Sequence, residues 1–309
     1  MGHVGDLLVV TVDVECDAVD DGSWRNSSPL TFAGVHHGLG EVLAGVLADT
    51  GACATLLVSN VVLADTASVA TLRGLSNVEL GTHLHGDFAP PDPRCADPAG
   101  VDPRDNQCEY DDSTERAKLE AITETFSAAF GERPKSFRAG RWSAGGRTAR
   151  LLTELGYVAD SSVTPHVWWT DNGRSVDFRG APEQPYHPSG DDISRPGDLP
   201  LWELPVSIRP RWWMGGRAGW LRPSTASAPT MRWVVGAQRR AHPGPRTFVM
   251  MFHNVELTPG TNPYARTPAA AARVATRLRR LLTWARDEGM EFATLSQAAA
   301  MQEGATRGG

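Results

Sequence analysis

The chain predicts an α/β fold, a distorted or incomplete (β/α) barrel, on two observations. Short apolar, β-branched runs alternate with helix-patterned segments almost from end to end. Such alternation lays strands in parallel with helical crossovers between them. The polar residues that close these runs form the second observation: Asp13 and Glu15, His83 and His85, Arg138, Asp160 and His253. Barrels take their reactive groups from the C-terminal ends of strands, so this regularity favours a barrel over an open sheet.

Leu7-Leu8-Val9-Val10-Thr11-Val12 is apolar and β-branched, the pattern of a buried first strand. A helix from Gly40 to Ala48 stops near Gly51, and Ala52 to Ser59 is the second strand. Val62 to Leu75 is helical, Val78 to His83 is the third strand, and a Pro/Asp/Gly-rich loop runs from Gly86 to Asp112. Ser113 to Phe130 is a helix with Gly131 as its C-cap. Ser136-Phe137-Arg138 is a short strand, Gly146 to Leu155 a helix ended by Gly156, and Tyr157 to Asp160 the next strand. The stretch 164–200 is irregular by composition, while Leu201 to Ile208 and Thr247 to His253 are late strands. Ala269 to Arg286 is an amphipathic helix, and Glu291 to Leu295 closes the sheet. All 309 residues are assigned to one catalytic domain, its cleft shaped by the two long loops.

Composition narrows the function. With 41% hydrophobic and 21% charged residues the chain has the make-up of a folded domain with a large core. A formal charge of −6 speaks against nucleic acid as the partner, and clusters such as Arg239-Arg240 are ordinary solvated helix faces. No run approaches the roughly 18 apolar residues of a membrane span. The N-terminus lacks the basic and apolar parts of a signal peptide, so the expected location is cytoplasmic. The four cysteines show no C-x-x-C; only Cys95 and Cys108 share a loop, and they would pair only in an oxidising compartment.

Asp13 and Glu15 point to the same side of a strand end. Two carboxylates held together are costly unless they share a cation or a proton. His83 and His85 likewise share a face, and neutral imidazoles there suit zinc or a similar divalent ion. Two histidines and one carboxylate leave a hydrolytic metal with open positions for water and substrate.

At this point the chain resembles the polysaccharide deacetylase family, the NodB-homology domains or family-4 carbohydrate esterases, from about Leu7 to about Leu295. Thr11-Val12-Asp13-Val14-Glu15 resembles the family's T-F-D-D-G, and Thr82-His83-Leu84-His85 stands where it has H-[ST]-x-x-H. Phe137-Arg138-Ala139-Gly140-Arg141-Trp142 is similar to R-P-P-Y-G, Asp160-Ser161-Ser162-Val163 to the fourth, Asp-containing motif, and Met250-Met251-Phe252-His253 to L-x-L-H. The resemblance implies removal of an N-acyl group, chiefly acetyl, from an amino sugar or glycan. It implies a divalent metal, zinc first, with cobalt, nickel or manganese as alternatives. Asp13 would be the general base, oriented by Arg138; Glu15 and His83 would be metal ligands; His253 would be the general acid, its imidazole held charged by Asp160. A backbone N–H near Arg141 would help to stabilise the oxyanion.

The pattern departs from the family at two ligand positions. Asp87 stands where the second ligand histidine belongs; His85 is the preferred replacement and Asp87 the alternative. Asp17 competes with Glu15 in the same way. Other readings on this scaffold are a hydrolase of a non-sugar amide or cyclic ureide, and a carbohydrate-binding pseudo-enzyme without metal. Glu256 either orients substrate or caps its loop, and Glu203 is expected to be a solvated strand residue. Trp168-Trp169 and Trp212-Trp213 are loop pairs suited to stacking on sugars. Cys16 is expected to be a small buried filler, His36-His37 a solvated helix start, and Asn26 a glycosylation acceptor only in a secretory pathway.

Overall fold

The structure, a computed structural model, describes residues 5–19, 21, 23–101, 106–171, 174–211 and 215–307. Its frame is a parallel sheet of β1 (Leu7–Val14), β2 (Ala54–Ser59), β3 (Val78–Leu84), β4 (Ser136–Ala139) and β5 (Ala159–Asp160), continued by later strands. β6 (Trp168–Asp171) and β7 (Arg174–Asp177) form an antiparallel hairpin apart from it. β8 (Trp202–Glu203) extends the sheet, and β9 (Ile208–Arg211) and β10 (Arg217–Trp220) make a second hairpin. β11 (Thr247–His253) is the opposite edge, giving the order β11-β1-β2-β3-β4-β5-β8. β12 (Glu291–Ala293) pairs with β1 from Leu7 to Val9, below the stretch Thr11 to Val14 that pairs with β2. Every residue of β1 and of β2 is buried, because a parallel sheet is covered on both faces.

The sheet is curled, and its two edges meet at a seam of single hydrogen bonds. Ser207 N–H donates to Val249 O (2.9 Å), Val249 N–H to Ser207 Oγ (3.0 Å), and Met251 N–H to Leu221 O (3.2 Å). Among the described residues no strand ladder joins β8 to β11, so the barrel is incomplete.

The helices are α1 (Ala44–Thr50), α2 (Asn60–Leu63), α3 (Thr66–Arg73), α4 (Asp112–Phe130), α5 (Gly146–Glu154), α6 (Ala228–Ala241), α7 (Pro268–Asp287) and α8 (Leu295–Arg307). A π-wound segment, Gly34–Leu43, runs into α1, which ends at the left-handed Gly51 (φ 71°). A Cβ on Gly34 would lie 2.8 Å from Asn254 Nδ2, so only glycine lets this segment lie against the chain beyond β11. Gly131 ends α4 with φ 80°, as its sequence predicts. Buried Lys118 of α4 donates to Ala89 O (2.6 Å) and Pro91 O (3.0 Å), pinning the first long loop to the helix.

Several elements differ from expectation. The helix predicted from Val62 to Leu75 breaks at Asp65, whose carboxylate caps a new helix by accepting from Ser68 N–H (2.8 Å). The 164–200 stretch contains the β6–β7 hairpin. The predicted strand Leu201 to Ile208 is split around Pro205, which has no N–H to give a ladder. α6 was not predicted; Ser227 caps it and a proline sits in its first turn.

Candidate active site

Parallel pairing sets the rim residues side by side. Asp13 is the register partner of His253, and His83 that of Arg138. Arg138 is fully buried, and its guanidinium donates to Asp13 Oδ1 (2.6 Å), Thr11 Oγ1 (2.8 Å), Ser161 Oγ (2.8 Å) and Ser161 O (2.7 Å). A buried guanidinium persists only when its donors are satisfied in this way. Burial alone would raise the pKa of Asp13. The charge of Arg138, helped by His83 and His253, outweighs burial and holds it below the ordinary carboxylate value.

Glu15 Oε1, His83 Nε2 and His85 Nε2 form a near-equilateral triangle with sides of 3.0, 3.0 and 3.1 Å. Ligand atoms of a four-coordinate ion with bonds of about 2.0–2.2 Å lie at comparable mutual separations. His83 Nδ1 is bound by the carbonyl of Arg138 (3.0 Å), which fixes the ring and leaves Nε2 toward the triangle. The His85 ring has room because residue 140 is glycine: a Cβ there would sit 2.9 Å from His85 Nδ1. Glu15 is fixed through its backbone. Its N–H donates to Asn254 Oδ1 (2.9 Å) and its carbonyl accepts from Asn254 Nδ2 (2.9 Å). Burial opposes ionisation of Glu15, but His253, His85 and the bonds from His83 and His85 prevail and hold its pKa well below the usual value. His83 is the converse: burial works against its charged form, and Asp13 and Glu15 outweigh that and raise its pKa. Among the described residues this is the group of acids, histidines and cysteines that can hold a metal ion.

His253 stands on the other side of Asp13. Its Nε2 lies 3.9 Å from Asp13 Oδ2 and 3.8 Å from Glu15 Oε1. Its Nδ1 lies 3.1 Å from Glu256 Oε1 and 3.2 Å from Arg222 Nη2. Arg222 also donates to Glu256. Burial would raise the pKa of Glu256, but Arg222 and His253 keep it below its ordinary value. The Trp24 ring packs on His253 with centroids 4.9 Å apart.

The carboxylate on the imidazole is therefore Glu256 and not Asp160. Asp160 belongs to a different pair. It is the register partner of Glu203, and both are wholly buried. Glu203 is accordingly not a solvated strand residue. Burial raises the pKa of both acids, and the Asp160 charge pushes Glu203 further, well above its ordinary value. Asp160 Oδ2 and Glu203 Oε2 would have no donor if both were ionised, and a shared proton satisfies them.

Asp13, Glu15, His83, His85 and His253 face a cavity of about 440 Å³ whose aromatic walls are Trp24, Trp142, Trp169 and Tyr264. Trp142 and Trp169 stack with centroids 6.2 Å apart and an interplanar angle of 13°. At the cavity wall Arg141 and Trp142 both take the left-handed conformation (φ 56° and 58°), a strain that clusters at functional sites. Trp168 is 50% exposed beneath Arg179, and Trp212-Trp213 lie outside the described residues.

The competing ligands have other work. Asp17 accepts from Ala33 N–H (2.7 Å) and Gly34 N–H (2.8 Å), anchoring the π-wound segment. Asp87 is not part of the Glu15–His83–His85 triangle. Cys16 is buried beside Glu15 and Asp17, and its thiol is pushed up to about 12, far from a nucleophile. Cys95 and Cys108 are free thiols. Asn26 is buried and donates to Pro98 O (2.9 Å), and His36 and His37 are exposed on the helix side. Sequence reasoning did not single out Asn254 or Arg222, and it left Glu256 open. Only Glu256 carried a signal, its i+3 spacing from His253 on a helical turn.

A curled parallel sheet with a carboxylate–histidine centre on its C-terminal rim defines a class of barrel-type domains. No protein-family sequence profile matches the chain, and no curated protein sequence matches it. Solved structures do. One from Mycobacterium smegmatis, designated a candidate polysaccharide deacetylase, is 19% identical with a TM-score of 0.59, the match covering 99% of this chain and 92% of that one. A candidate glycoside hydrolase/deacetylase from Parabacteroides distasonis is 12% identical with a TM-score of 0.63, covering 97% and 71%. A GH57 branching enzyme from Thermococcus kodakaraensis is 13% identical with a TM-score of 0.51, covering 94% and 70%. The chain has an incomplete (β/α) barrel, the fold it shares with these structures. Among the described residues no helix is long and apolar enough to cross a membrane.

Proposed function

We propose that the protein is a metal-dependent hydrolase that removes an N-acyl group, acetyl first, from an amino sugar or glycan. The observation that carries this reading is the single cavity in which Asp13 and His253 stand on adjacent strands beside the Glu15–His83–His85 triangle.

Glu15, His83 and His85 would hold a divalent ion, zinc first among the candidates. Two neutral imidazoles and a carboxylate are its usual donors. Bound there, the ion supplies Lewis acidity, polarising the acyl oxygen and acidifying water. Asp13 Oδ1 is engaged by Arg138, so Oδ2 is the oxygen that takes the proton of the attacking water. The water oxygen bonds to the acyl carbon, and the C–N bond breaks. The amine leaves with a proton from His253 Nε2, since an amine anion is a very poor leaving group. Glu256, backed by Arg222, holds His253 Nδ1 and orients the ring for that transfer. The backbone N–H at Arg141 is the donor assigned to the developing oxyanion. The aromatic walls favour a sugar, whose apolar ring faces stack on indoles.

The test is acetate release from N-acetylated mono- and oligosaccharides by protein loaded with zinc or cobalt, beside simple amides and cyclic ureides. Turnover of the sugars, absent in His253→Ala, is the expected result. Turnover of the ureides alone would replace the substrate assignment. No turnover, with no metal retained on elemental analysis, would leave a sugar-binding relative without catalysis.

A further inference from the structure

The two hairpins that stand apart from the main sheet carry two indoles of the aromatic wall, Trp169 on β6 and Trp220 on β10. With Trp142 they form a triangle of rings whose centroids are 6.2, 6.1 and 6.2 Å apart. Among the described residues neither hairpin pairs with the main sheet, so no strand ladder fixes the distance between them. Glu183, in the connection from β7 to β8, is placed to do so. Its side chain is 7% exposed. Its Oε1 accepts from the His166 ring and from the Arg209 guanidinium, and its Oε2 accepts from His242 Nε2 (2.6 Å). His166 leads into β6, three residues before Trp169. Arg209 lies on β9 beside Ile208, the register partner of Trp220, and His242 closes α6. One carboxylate thus ties both hairpins to one helix. Burial would raise the pKa of Glu183, but the bonds from His166, His242 and Arg209 outweigh it and hold the group down at about 2. His166 takes the left-handed conformation (φ 68°), which a residue with a Cβ keeps only where its surroundings determine it. Glu183 lines neither cavity, so its influence on a bound molecule passes through the indoles.

We propose, resting on the deacylase reading above, that Glu183 is the positioning residue of the sugar-binding wall. It holds Trp169 and Trp220 at the separation and angle at which their faces receive a glycan, and so sets affinity for the substrate without touching it. The proton-transfer groups Asp13 and His253 sit on β1 and β11, so KM answers to Glu183 and kcat does not.

The test uses the full-length protein loaded with zinc and the trimer of N-acetylglucosamine as probe. Binding is read by calorimetry, turnover by acetate release, and ring geometry by the circular-dichroism band of coupled indoles that Trp220→Phe removes. Glu183→Gln should raise Kd and KM about tenfold, the order of one aromatic stacking contact, at unchanged kcat, and should alter that band. Combined with Trp169→Ala, it should bind no more weakly than Trp169→Ala alone, because both changes act through one contact. His242→Ala should raise KM about threefold, and His242→Gln, which keeps an N–H donor of similar reach, should restore it. Additive losses in the double variant, a fall in kcat at unchanged KM, or an unaltered indole band would overturn the proposal. Should Glu183→Gln not fold, the two His242 variants decide, and equal KM in both would overturn it. Binding that weakens in Glu183→Gln, with no acetate released by either protein, would support the clamp while sinking the hydrolase reading. Acetate release with the same KM in both proteins would do the reverse.

Discussion

Asp13 with Glu15 and Asp160 with Glu203 are both acid groupings at the C-terminal rim of one sheet, and their surroundings treat them oppositely. Asp13 and Glu15 are given Arg138, His83, His85 and His253, so burial loses and both stay ionised. Asp160 and Glu203 face each other across adjacent strands, so burial wins and they hold a proton. Depth of burial does not decide the charge state of a rim carboxylate; the cationic and donor groups brought in by neighbouring strands do.

The largest expected effect breaks the first grouping. Asp13→Asn should abolish acetate release, a loss of about a thousandfold or more, and destabilise the fold by about 3 kcal/mol or more, because Arg138 is left buried without its counter-charge. Denaturant titration beside the activity assay checks both, and a variant with unchanged stability would refute the role given to that ion pair. Glu256→Gln comes next. It should lower kcat by about a hundredfold with little change in KM, since the ring loses the carboxylate that orients its Nδ1. An unchanged kcat would mean that Glu256 only caps its turn. Asn254→Ala touches no ligand side chain, yet it should weaken metal binding by about 10- to 100-fold by freeing the Glu15 backbone. Competition against a chelating dye measures this.

The smallest effect concerns stability against pH. Asp13 and Glu256 have lowered folded pKa values, so they contribute stability present above their unfolded values of 3.8 and 4.5. That part is lost as pH falls through the folded values. Glu203 has a raised one, so its contribution is complete below 4.5 and lost as pH rises toward the folded value. Glu203→Gln should therefore flatten the alkaline side of the stability curve and change stability at neutral pH by about 1 kcal/mol or less. A steeper alkaline decline would show that the pair is ionised.

The strand ends were legible in sequence because period-2 alternation and short β-branched runs are local signals. They put Asp13, Glu15, His83, His85, Arg138 and His253 on one rim without knowledge of the sheet order. The partner of His253 was not legible in that way. Asp160 sits at an equivalent strand end, but which strand it faces depends on the order of the sheet, and that order opposes it to Glu203. Arg222 lies in a loop between elements with no periodic pattern, and the bonds of Asn254 reach residues 239 positions away. The β6–β7 hairpin was masked by its polar composition.

The pairing of Asp13 with His253 on neighbouring parallel strands has a bearing on how such a protein can be altered. On the proposed roles, the gap between proton acceptor and proton donor is set by the repeat of the sheet, about 4.8 Å between strands, and not by any loop. On the same proposal, selectivity would reside in hairpins and long connections that can be lengthened, shortened or exchanged. Libraries built in the connections before α4 and around β6, β7, β9 and β10 should change which molecule is accepted while leaving the interval between the two proton-transfer groups untouched.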